Sequence, residues 1–465
     1  MSQGRRSAAS LTILVGLAAS SWACGSSSAP GATGTDGGAD VTTDQGQTPE
    51  SGADTAAPQD GGGADAATPD APFVPAAHPA WPQVPNTQGR TLTAPALVTV
   101  TASNDVPTDG TDTVASLDAF SDAVPGSAMW AAVSAEYQLG ALTSAIHLTG
   151  PAMAAGTYTT AQLQAYVSGV LAVDGGSIAP PNGNTIYLLF LPAGATLSGR
   201  TDCGYHTAFP SSTTSTGDQL ANVIRCPPVR DQETELGQLT RVASHEIVES
   251  ATDPLGRGYH LPSVTTEPYD ASIWNAWDPG SKSIELGDLC EGTRTFEAFD
   301  GGPDGGWEYQ RMWSNAAAAK GGDPCVPPAS VPYESVSAPQ GWYAVPAGGS
   351  VDIPLTGWSA EITTTWLVHT GLSATKDGGA FGGILDAGVT LVTEAGVGTT
   401  SPCYVREAMN NGVGGVLHVT APAGATSGDF AIFSVTSFRE KPPPSCYPPI
   451  TEDNVHFWPV GVYVQ

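Results

Sequence analysis

Charged residues are scarce in this sequence: Asp, Glu, Lys and Arg make up 13% of its 465 residues. The basic ones are the rarest, with 16 Lys and Arg against 45 Asp and Glu, which gives a formal net charge of -29. A chain this negative repels the phosphate backbone of DNA and RNA. We therefore do not expect a nucleic-acid partner.

The sequence also lacks an apolar run long enough to span a bilayer as a helix. Its N-terminal apolar stretch, SLTILVGLAASSWA at 10–23, is too short for that. Arg5 and Arg6 precede the stretch, which is the order of an export signal. Cys24 follows it directly, and residues 1–24 resemble a bacterial lipoprotein signal, in which the cysteine is lipidated and becomes the mature N-terminus. An ordinary cleaved signal ending in Ser-Trp-Ala is the alternative.

A lipidated Cys24 would attach the protein to a membrane through its N-terminal lipid only. Gly25 follows the cysteine and is compatible with sorting to the outer membrane. We expect a protein of the bacterial cell envelope, either an outer-membrane lipoprotein or an extracellular protein.

Cysteine is sparse, and its seven copies divide into Cys24 and six others. An even set in an exported chain predicts disulfide bonds, and six cysteines allow 15 connectivities. Pairing between neighbours would close each loop inside one predicted domain. The pairs expected on that ground are Cys203 with Cys226, Cys290 with Cys325, and Cys403 with Cys446.

Composition divides the rest of the chain into three parts, and no fixed-period repeat is present. Residues 25–85 are mostly Gly, Ala, Asp, Pro, Ser and Thr and predict a disordered acidic tether. Residues 86–327 mix strand and helix patterns, including a buried strand in TIYLLFLP from Thr185 and a long helix from about Gln232 to near Pro254. Residues 328–465 contain short alternating runs between Gly and Pro turns, which predict a β-sandwich.

The predicted long helix carries SHEIVESATDP, which begins like the H-E-x-x-H motif of zinc proteases but ends in Glu249. On a helix, His245 and Glu249 project from one face and can reach a single ion. Glu246 then stands where the general base of such enzymes lies. Because the helix is apolar on most sides, it should be buried, and buried carboxylates need a cation or good donors. The alternative is a hydrogen-bonded core histidine beside solvated glutamates.

A third metal ligand has to come from elsewhere in the chain. Asp288 in SIELGDLC is the preferred candidate, because a disulfide at Cys290 would hold its loop. His260 and Glu285 are further candidates, and Asp253 could orient His245 as a carboxylate behind it. Each Asp could instead be an ordinary turn or cap residue.

Several segments in a fixed order resemble one known family. Over residues 86–325 the chain is similar to secreted bacterial proteins related to the plant phosphate-induced, EXORDIUM-like family. The segments that carry the resemblance are TIYLLFLP, CGYH, NVIRCPP, SHEIVESATDP, IELGDLC and YQRMWSNA.

The resemblance implies a zincin-like α/β domain in which His245 and Glu249 match the ligand positions and Glu246 the base. It implies no particular reaction, since the plant members are apoplastic proteins linked to growth responses. Glu249 replaces a neutral imidazole by an anion, which should make zinc a weaker Lewis acid. The expected fold class is α+β, a zincin-like domain with a long active-site helix, followed by an all-β sandwich.

Other chemistries have less support in the sequence. Asp300 and Asp304 lie in a Gly-rich loop that could bind calcium, although an ordinary turn is the commoner role of such a loop. No G-x-S-x-G motif is present, and every cysteine already has a role, so a serine or cysteine nucleophile is not expected.

Two functions follow from these features. The first is a zinc-dependent, peptidase-like hydrolase acting on a polypeptide or a cell-surface polymer, with Glu246 deprotonating water. The second is a non-catalytic cell-envelope protein of EXORDIUM-like type that binds a glycan or another protein. Its stacking surface would come from loop tryptophans, namely Trp274, Trp277, Trp307 and Trp313.

Overall fold

The computed structural model of the protein describes part of the chain. Among the helices described, none is both long and apolar enough to cross a membrane. The signal segment, which contains Cys24, lies outside the described residues. So do five other residues named above, which are Trp277, Asp300, Asp304, Cys403 and Cys446. The described residues are 72–105, 113–173, 182–200, 202–209, 218–226, 234–262, 269, 271–276, 284–291, 296–298, 307–327, 333–362, 365–375, 389–394, 397–400, 405–438 and 455–465.

The described chain is mixed α+β up to residue 327, as predicted. Two short 3-10 turns, Val124–Gly126 and Asp288–Cys290, also occur there. The elements are β1 (Ala96–Ala102), α1 (Val114–Ala123), α2 (Ala128–Tyr137), β2 (Thr143–Gly150), β3 (Gly156–Tyr158), α3 (Thr160–Val173), β4 (Thr185–Phe190), β5 (Ala195–Leu197), β6 (Gly204–Phe209), β7 (Asp218–Val223), α4 (Glu235–Thr252), α5 (Ile273–Ala276), β8 (Phe296–Ala298), β9 (Trp307–Tyr309), β10 (Met312–Trp313), α6 (Asn315–Ala318) and β11 (Cys325–Val326).

A five-stranded sheet in the order β2-β1-β4-β7-β6 organises this part. Its first four strands are parallel, and β6 runs antiparallel to β7 at one edge. All six residues of the central strand β4 are buried, because helices cover both faces of the sheet. Successive side chains of a strand point to opposite faces, so Ile186, Leu188 and Phe190 join one core cluster, and Tyr187 and Leu189 join another.

Helix α4 is the longest described helix, with 18 residues, and it is buried almost everywhere. Thr234 caps its N-terminus, where the hydroxyl accepts a hydrogen bond from the backbone N–H of Gly237 (2.9 Å). The helix packs against β4, β6, β7 and β9. Every residue of the helix is buried except His245, whose side chain is 13% exposed. The expected burial of this helix is confirmed.

The C-terminal part is a β-sandwich, as the alternating pattern predicted. One sheet has the order β12-β14-β19-β16 and the other the order β13-β21-β20-β15-β18-β17. On β14 the side chains of Ile353 and Leu355 are buried while Asp352 and Pro354 are exposed, which is the two-residue period of a strand. The strands are β12 (Glu334–Ser337), β13 (Trp342–Val345), β14 (Ser350–Ser359), β15 (Trp366–Thr375), β16 (Val389–Thr393), β17 (Val397–Thr400), β18 (Val405–Met409), β19 (Gly414–Thr420), β20 (Phe430–Phe438) and β21 (Val455–Val464).

An aromatic cluster joins the sandwich to the α+β part. The indole of Trp81 lies within 6 Å of five other aromatic rings besides that of His78, and its Nε1–H donates to the carbonyl of Gly322 (2.9 Å). Trp81 and Val84 are buried, so the folded body includes residues that the sequence placed in the tether. The other rings around Trp81 within that distance belong to Trp274, Trp313, Tyr333, Trp358 and Trp458.

The three tryptophans of the proposed stacking surface that lie in the described residues are buried. Trp274, Trp307 and Trp313 are 8%, 2% and 1% exposed. They belong to the main core cluster, because large aromatic side chains gain more from burial than from fixing a loop in water.

Candidate functional site

The motif residues of α4 lie in a buried cleft, together with side chains from both sides of the helix. Glu246 and Glu249 are 4% and 3% exposed. The Nε2 atom of His245 lies 2.9 Å from Oε2 of Glu249, one helical turn further on. The histidine and the second glutamate therefore share a face, as the motif spacing predicts.

The other ring nitrogen of His245 is held by Gln310. Nδ1 of His245 lies 3.1 Å from the Gln310 Oε1 atom, and the Gln310 Nε2–H donates to the carbonyl of Gly287 (2.8 Å). Since Nε2 of the glutamine is the donor, Oε1 must accept, and Nδ1 of His245 carries the proton. In the charged form of His245 both ring nitrogens carry protons and Nε2–H donates to Glu249, whereas in the neutral form Nε2 is the unprotonated nitrogen that a metal ion could use.

Gln310 is placed by a strip of small hydroxyl side chains on α4. The hydroxyl of Ser244 accepts from the backbone N–H of Gln310 (2.9 Å), and that of Thr240 accepts from the N–H of Glu308 (3.2 Å). Thr240 and Ser244 are four residues apart and lie on one face of the helix. They fix the segment 308–310 along α4, so that Gln310 meets His245.

Asp288 comes from a turn that lies close against the same helix face. Its Oδ1 atom is 3.6 Å from Nε2 of His245, and its side chain is 32% exposed. The backbone N–H of Gly287 donates to Oε1 of Glu249 (3.1 Å). Ligand atoms of His245, Glu249 and Asp288 all lie within 4.8 Å of one another, which is the separation of side chains that could hold one metal ion.

A second histidine, His206, enters the cleft from the edge strand β6. Its Nδ1 atom lies 3.6 Å from Oε2 of Glu246 and 3.8 Å from Oε2 of Glu249. Its Nε2 atom lies 3.7 Å from Oε1 of Glu285. His206, Glu246 and Glu249 form a second group whose ligand atoms lie within 4.8 Å of one another.

Disulfide bonds hold both segments that flank α4. Cys203 is bonded to Cys226, which ties the start of β6 to the residues after β7. Cys290 is bonded to Cys325, which ties the turn of Asp288 to β11. The two predicted pairings that fall in the described chain are confirmed.

The histidines of the cleft favour their charged forms. Burial disfavours an imidazolium, but Glu249 and the neighbouring carboxylates outweigh it and raise the pKa of His245 well above its ordinary value. Burial also lowers the pKa of His206, but Glu246 and Glu249 outweigh it and raise the pKa above its ordinary value. Positive charge is therefore stabilised in this cleft.

The carboxylates respond to burial and to each other. Burial, together with the charge of Glu249, raises the pKa of Glu285 and of Asp288 well above the ordinary values. Burial also raises the pKa of Glu246. For Glu249 the neighbouring His245 outweighs burial, so its pKa is lowered. The cleft thus holds more carboxylates than its two histidines can balance.

Two carboxylate oxygens in the cleft are buried without a hydrogen-bond partner among the described residues, Oε2 of Glu246 and Oε1 of Glu285. Buried polar atoms are normally satisfied, and a buried charge needs a counter-ion or donors. Both atoms face His206, at 3.6 and 3.7 Å, just beyond hydrogen-bonding distance. The cleft has the character of a cation-binding site.

Asp253 and His260 form a separate pair. Oδ2 of Asp253 lies 2.8 Å from Nδ1 of His260, and Oδ1 accepts from the N–H of Gly258. Asp253 is eight residues beyond His245, or about 12 Å along the helix axis. It therefore does not orient His245, as the sequence had suggested, and Gln310 occupies that position instead.

Neither His206 nor Gln310 was predicted from the sequence to belong to the site. His206 lies in the CGYH segment and Gln310 in YQRMWSNA, both of which had carried the family resemblance. An isolated histidine on a strand has no ligand spacing of its own. Only the antiparallel pairing of β6 with β7 brings His206 beside α4.

Comparisons with known proteins do not assign this chain to a family. No family model matches it, and no curated protein matches it. Among solved structures, domain 1 of VCBP3 from Branchiostoma floridae matches with 14% sequence identity, over 29% of this chain and 98% of that one. Its TM-score of 0.18 is too low to carry an argument about fold or function.

Proposed function

We propose that this protein is an exported, lipid-anchored, zinc-dependent hydrolase of the peptidase type, with a zincin-like α/β domain. The observation that carries the proposal is the group formed by His245, Glu249 and Asp288, whose ligand atoms lie within 4.8 Å of one another in a buried cleft. One imidazole and two carboxylates are ligands that zinc accepts.

The surroundings of the group fit a bound cation. Gln310 fixes the tautomer of His245 that leaves Nε2 free to ligate. Gly287 allows its backbone to approach closely: a Cβ atom there would lie 2.7 Å from Oε1 of Glu249 and 2.7 Å from Nδ1 of His245. Oε2 of Glu246 is buried and lacks a hydrogen-bond partner within the described part of the chain. These features provide negative charge and an unsatisfied carboxylate oxygen for an ion.

The residues of this chain then divide the chemistry between them. Bound zinc supplies a Lewis acid that polarises the carbonyl group of the substrate. Glu246 accepts a proton from the attacking water at its carboxylate and passes it to the leaving amine. Burial raises the pKa of Glu246, which suits a base that must also act as an acid. The anionic Glu249 weakens the Lewis acid, so slow turnover is expected.

The remaining parts of the proposal are supported by the sequence and by the fold. The zincin-like assignment is supported by the buried H-E-x-x-E helix, which follows the last strand of a mixed sheet. Export is supported by the signal-like N-terminus and by two disulfide bonds. Lipid attachment at Cys24 is supported by the lipoprotein-like signal.

Metal analysis of the full purified chain tests the proposal. After removal of metal with a chelator and titration with zinc, we expect tight binding in the wild type and its loss in His245→Ala. His418→Ala is the matched control, because His418 pairs with Asp352 on the exposed surface of the sandwich. A wild type that stays folded and binds no zinc would overturn the metal site.

Glu246→Gln separates catalysis from metal binding. The amide keeps the size of the side chain but cannot take up a proton. We expect this variant to keep the first zinc and to lose cleavage of a broad peptide library. If the wild type binds zinc and cleaves none of the peptides, the zinc has a structural role, and the non-catalytic envelope protein is the better proposal.

A further inference from the structure

The cleft contains a second set of ligands beyond the three residues of the proposed zinc site. His206, Glu246 and Glu249 bring their ligand atoms within 4.8 Å of one another. Glu249 belongs to both sets, and its Oε2 atom lies 2.9 Å from Nε2 of His245 and 3.8 Å from Nδ1 of His206. One carboxylate therefore stands between two imidazoles.

The two histidines are arranged alike. Each has one ring nitrogen near Glu249 and the other near a side-chain oxygen atom. For His245 that oxygen is Oε1 of Gln310, at hydrogen-bonding distance (3.1 Å), and for His206 it is Oε1 of Glu285, which at 3.7 Å would have to move closer to accept a hydrogen bond. An acceptor behind the ring is the usual support of a metal-binding histidine, since it fixes the ring and makes the free nitrogen more basic.

A single cation would leave the cleft unbalanced. In the deprotonated state that binds metal, with Glu246, Glu249, Glu285 and Asp288 ionised and both histidines neutral, the cleft carries a charge of about -4. One divalent ion reduces this to about -2, and two divalent ions bring it to zero.

Independent evidence for a ligand comes from the buried oxygen atoms. Glu246 is 4% exposed, and its Oε2 atom faces His206 without a hydrogen-bond partner in the described ranges. The same holds for Oε1 of Glu285, whose residue is 9% exposed. Such atoms are costly unless a cation or a donor occupies the space beside them.

We infer that the cleft binds two divalent cations that share Glu249, the first on His245, Glu249 and Asp288 and the second on His206, Glu246 and Glu249. The inference rests on the proposed function for the first ion. It adds a regulatory property, because the second ion engages the carboxylate that serves as the base when one ion is bound. Zinc is thus both the cofactor at low concentration and an inhibitor at high concentration.

Binding stoichiometry tests the second ion without an activity assay. Isothermal titration of the chelator-treated full chain with zinc should give two ions per chain in the wild type. His206→Ala and the conservative His206→Asn should each give one ion, with the first binding step unchanged. His147→Ala is the matched control, because His147 lies between Asp118 and Asp122, away from the cleft, and its loss should leave two ions.

The outcomes of this titration separate the two proposals. One ion in the wild type, unaffected by either His206 variant, overturns the second site and leaves the proposed function standing. No binding at all overturns both. Two ions that persist in a His206 variant with a wild-type circular dichroism spectrum also overturn the second site, and Glu246→Gln, which should weaken only the second step, provides an independent check.

Discussion

Glu249 stands at the position where an H-E-x-x-H helix has its second histidine, and this changes the charge of the cleft. A neutral ligand is replaced by an anion that is held by His245 and by the backbone N–H of Gly287. These contacts lower the pKa of Glu249 although the residue is buried. The carboxylate is thus available to a cation over the whole physiological pH range.

At the same scale, Gln310 should control the affinity of the cleft for zinc. Gln310→Ala removes the acceptor behind His245, so we expect zinc to bind about 10–100-fold more weakly. Gln310→Glu keeps an acceptor and should retain most of the affinity. Gln164→Leu, which alters a glutamine on α3 that donates to Ala208, is the control. Equal affinity for the Ala variant and the wild type, measured by titration with a zinc indicator, would refute this role.

The raised pKa values of the histidines predict how pH affects the metal-free protein. A group whose pKa is raised on folding stabilises the folded state below its unfolded pKa, near 6.5 for histidine, and loses that contribution as pH rises through the folded value. Zinc binds only neutral imidazoles, so its affinity increases as the histidines lose their protons. As pH rises above about 6.5, chelator-treated protein should lose stability while the increase in Tm caused by zinc grows. Calorimetry at several pH values, with His245→Ala as control, checks this expectation.

Among the elements, α4 is built so that its neighbours complete the cleft. Its N-terminal half is packed by apolar side chains and tied to β9 by the hydroxyls of Thr240 and Ser244. Its C-terminal half faces β6 on one side and the turn of Asp288 on the other. In the proposed site the helix alone would supply two ligands and the base, and the flanking elements would supply the remaining ligands.

The close approach of the 287 turn to α4 can be tested with a single methyl group. In Gly287→Ala the new Cβ atom would lie 2.7 Å from ligand side chains, so the turn must move away. We expect zinc affinity to fall at least about tenfold, or 1.4 kcal/mol. Gly126→Ala places its Cβ where nothing lies within 4 Å and should bind zinc like the wild type. Titration of both variants with zinc tests this expectation. Unchanged zinc affinity in Gly287→Ala would show that Gly287 does not approach the ligand side chains this closely.

Local patterns in the sequence were sufficient to predict the elements of the site but only part of its composition. The apolar pattern predicts the positions of β4 and α4, although α4 begins at Glu235 and not at about Gln232, and the i, i+4 pair on α4 follows from helical geometry. His206 and Gln310 could not be assigned in this way, because their positions depend on the order of strands in the sheet and on hydrogen bonds between distant segments. Asp253 was misassigned since spacing along a helix gives the direction of a side chain but not its partner.

At the scale of the whole molecule, one hydrophobic cluster runs through both the α+β part and the sandwich. Trp81 lies near its centre, in contact with rings from both parts. Composition marked a boundary near residue 328, yet no boundary is visible in the packing of these aromatic side chains. The two parts should therefore depend on each other for stability.

Trp81→Ala tests this dependence. Removal of a buried tryptophan should cost about 3–5 kcal/mol, and both parts should unfold in one transition because the cluster is shared. Leu255→Ala, at a side chain that is 48% exposed, should change stability by less than about 0.5 kcal/mol. Differential scanning calorimetry gives the answer: two well-separated transitions in the wild type would show that the parts are independent.

The positions of the two disulfide bonds set an order for maturation. Each one anchors a segment that brings a candidate ligand to α4 from outside the helix, His206 behind Cys203 and Asp288 before Cys290. In a reducing compartment these segments lose their anchors, and α4 retains only the weak pair His245 and Glu249. Under the export and zinc binding proposed above, oxidation would precede metal loading, so a newly made chain would not compete for zinc before it left the cytoplasm.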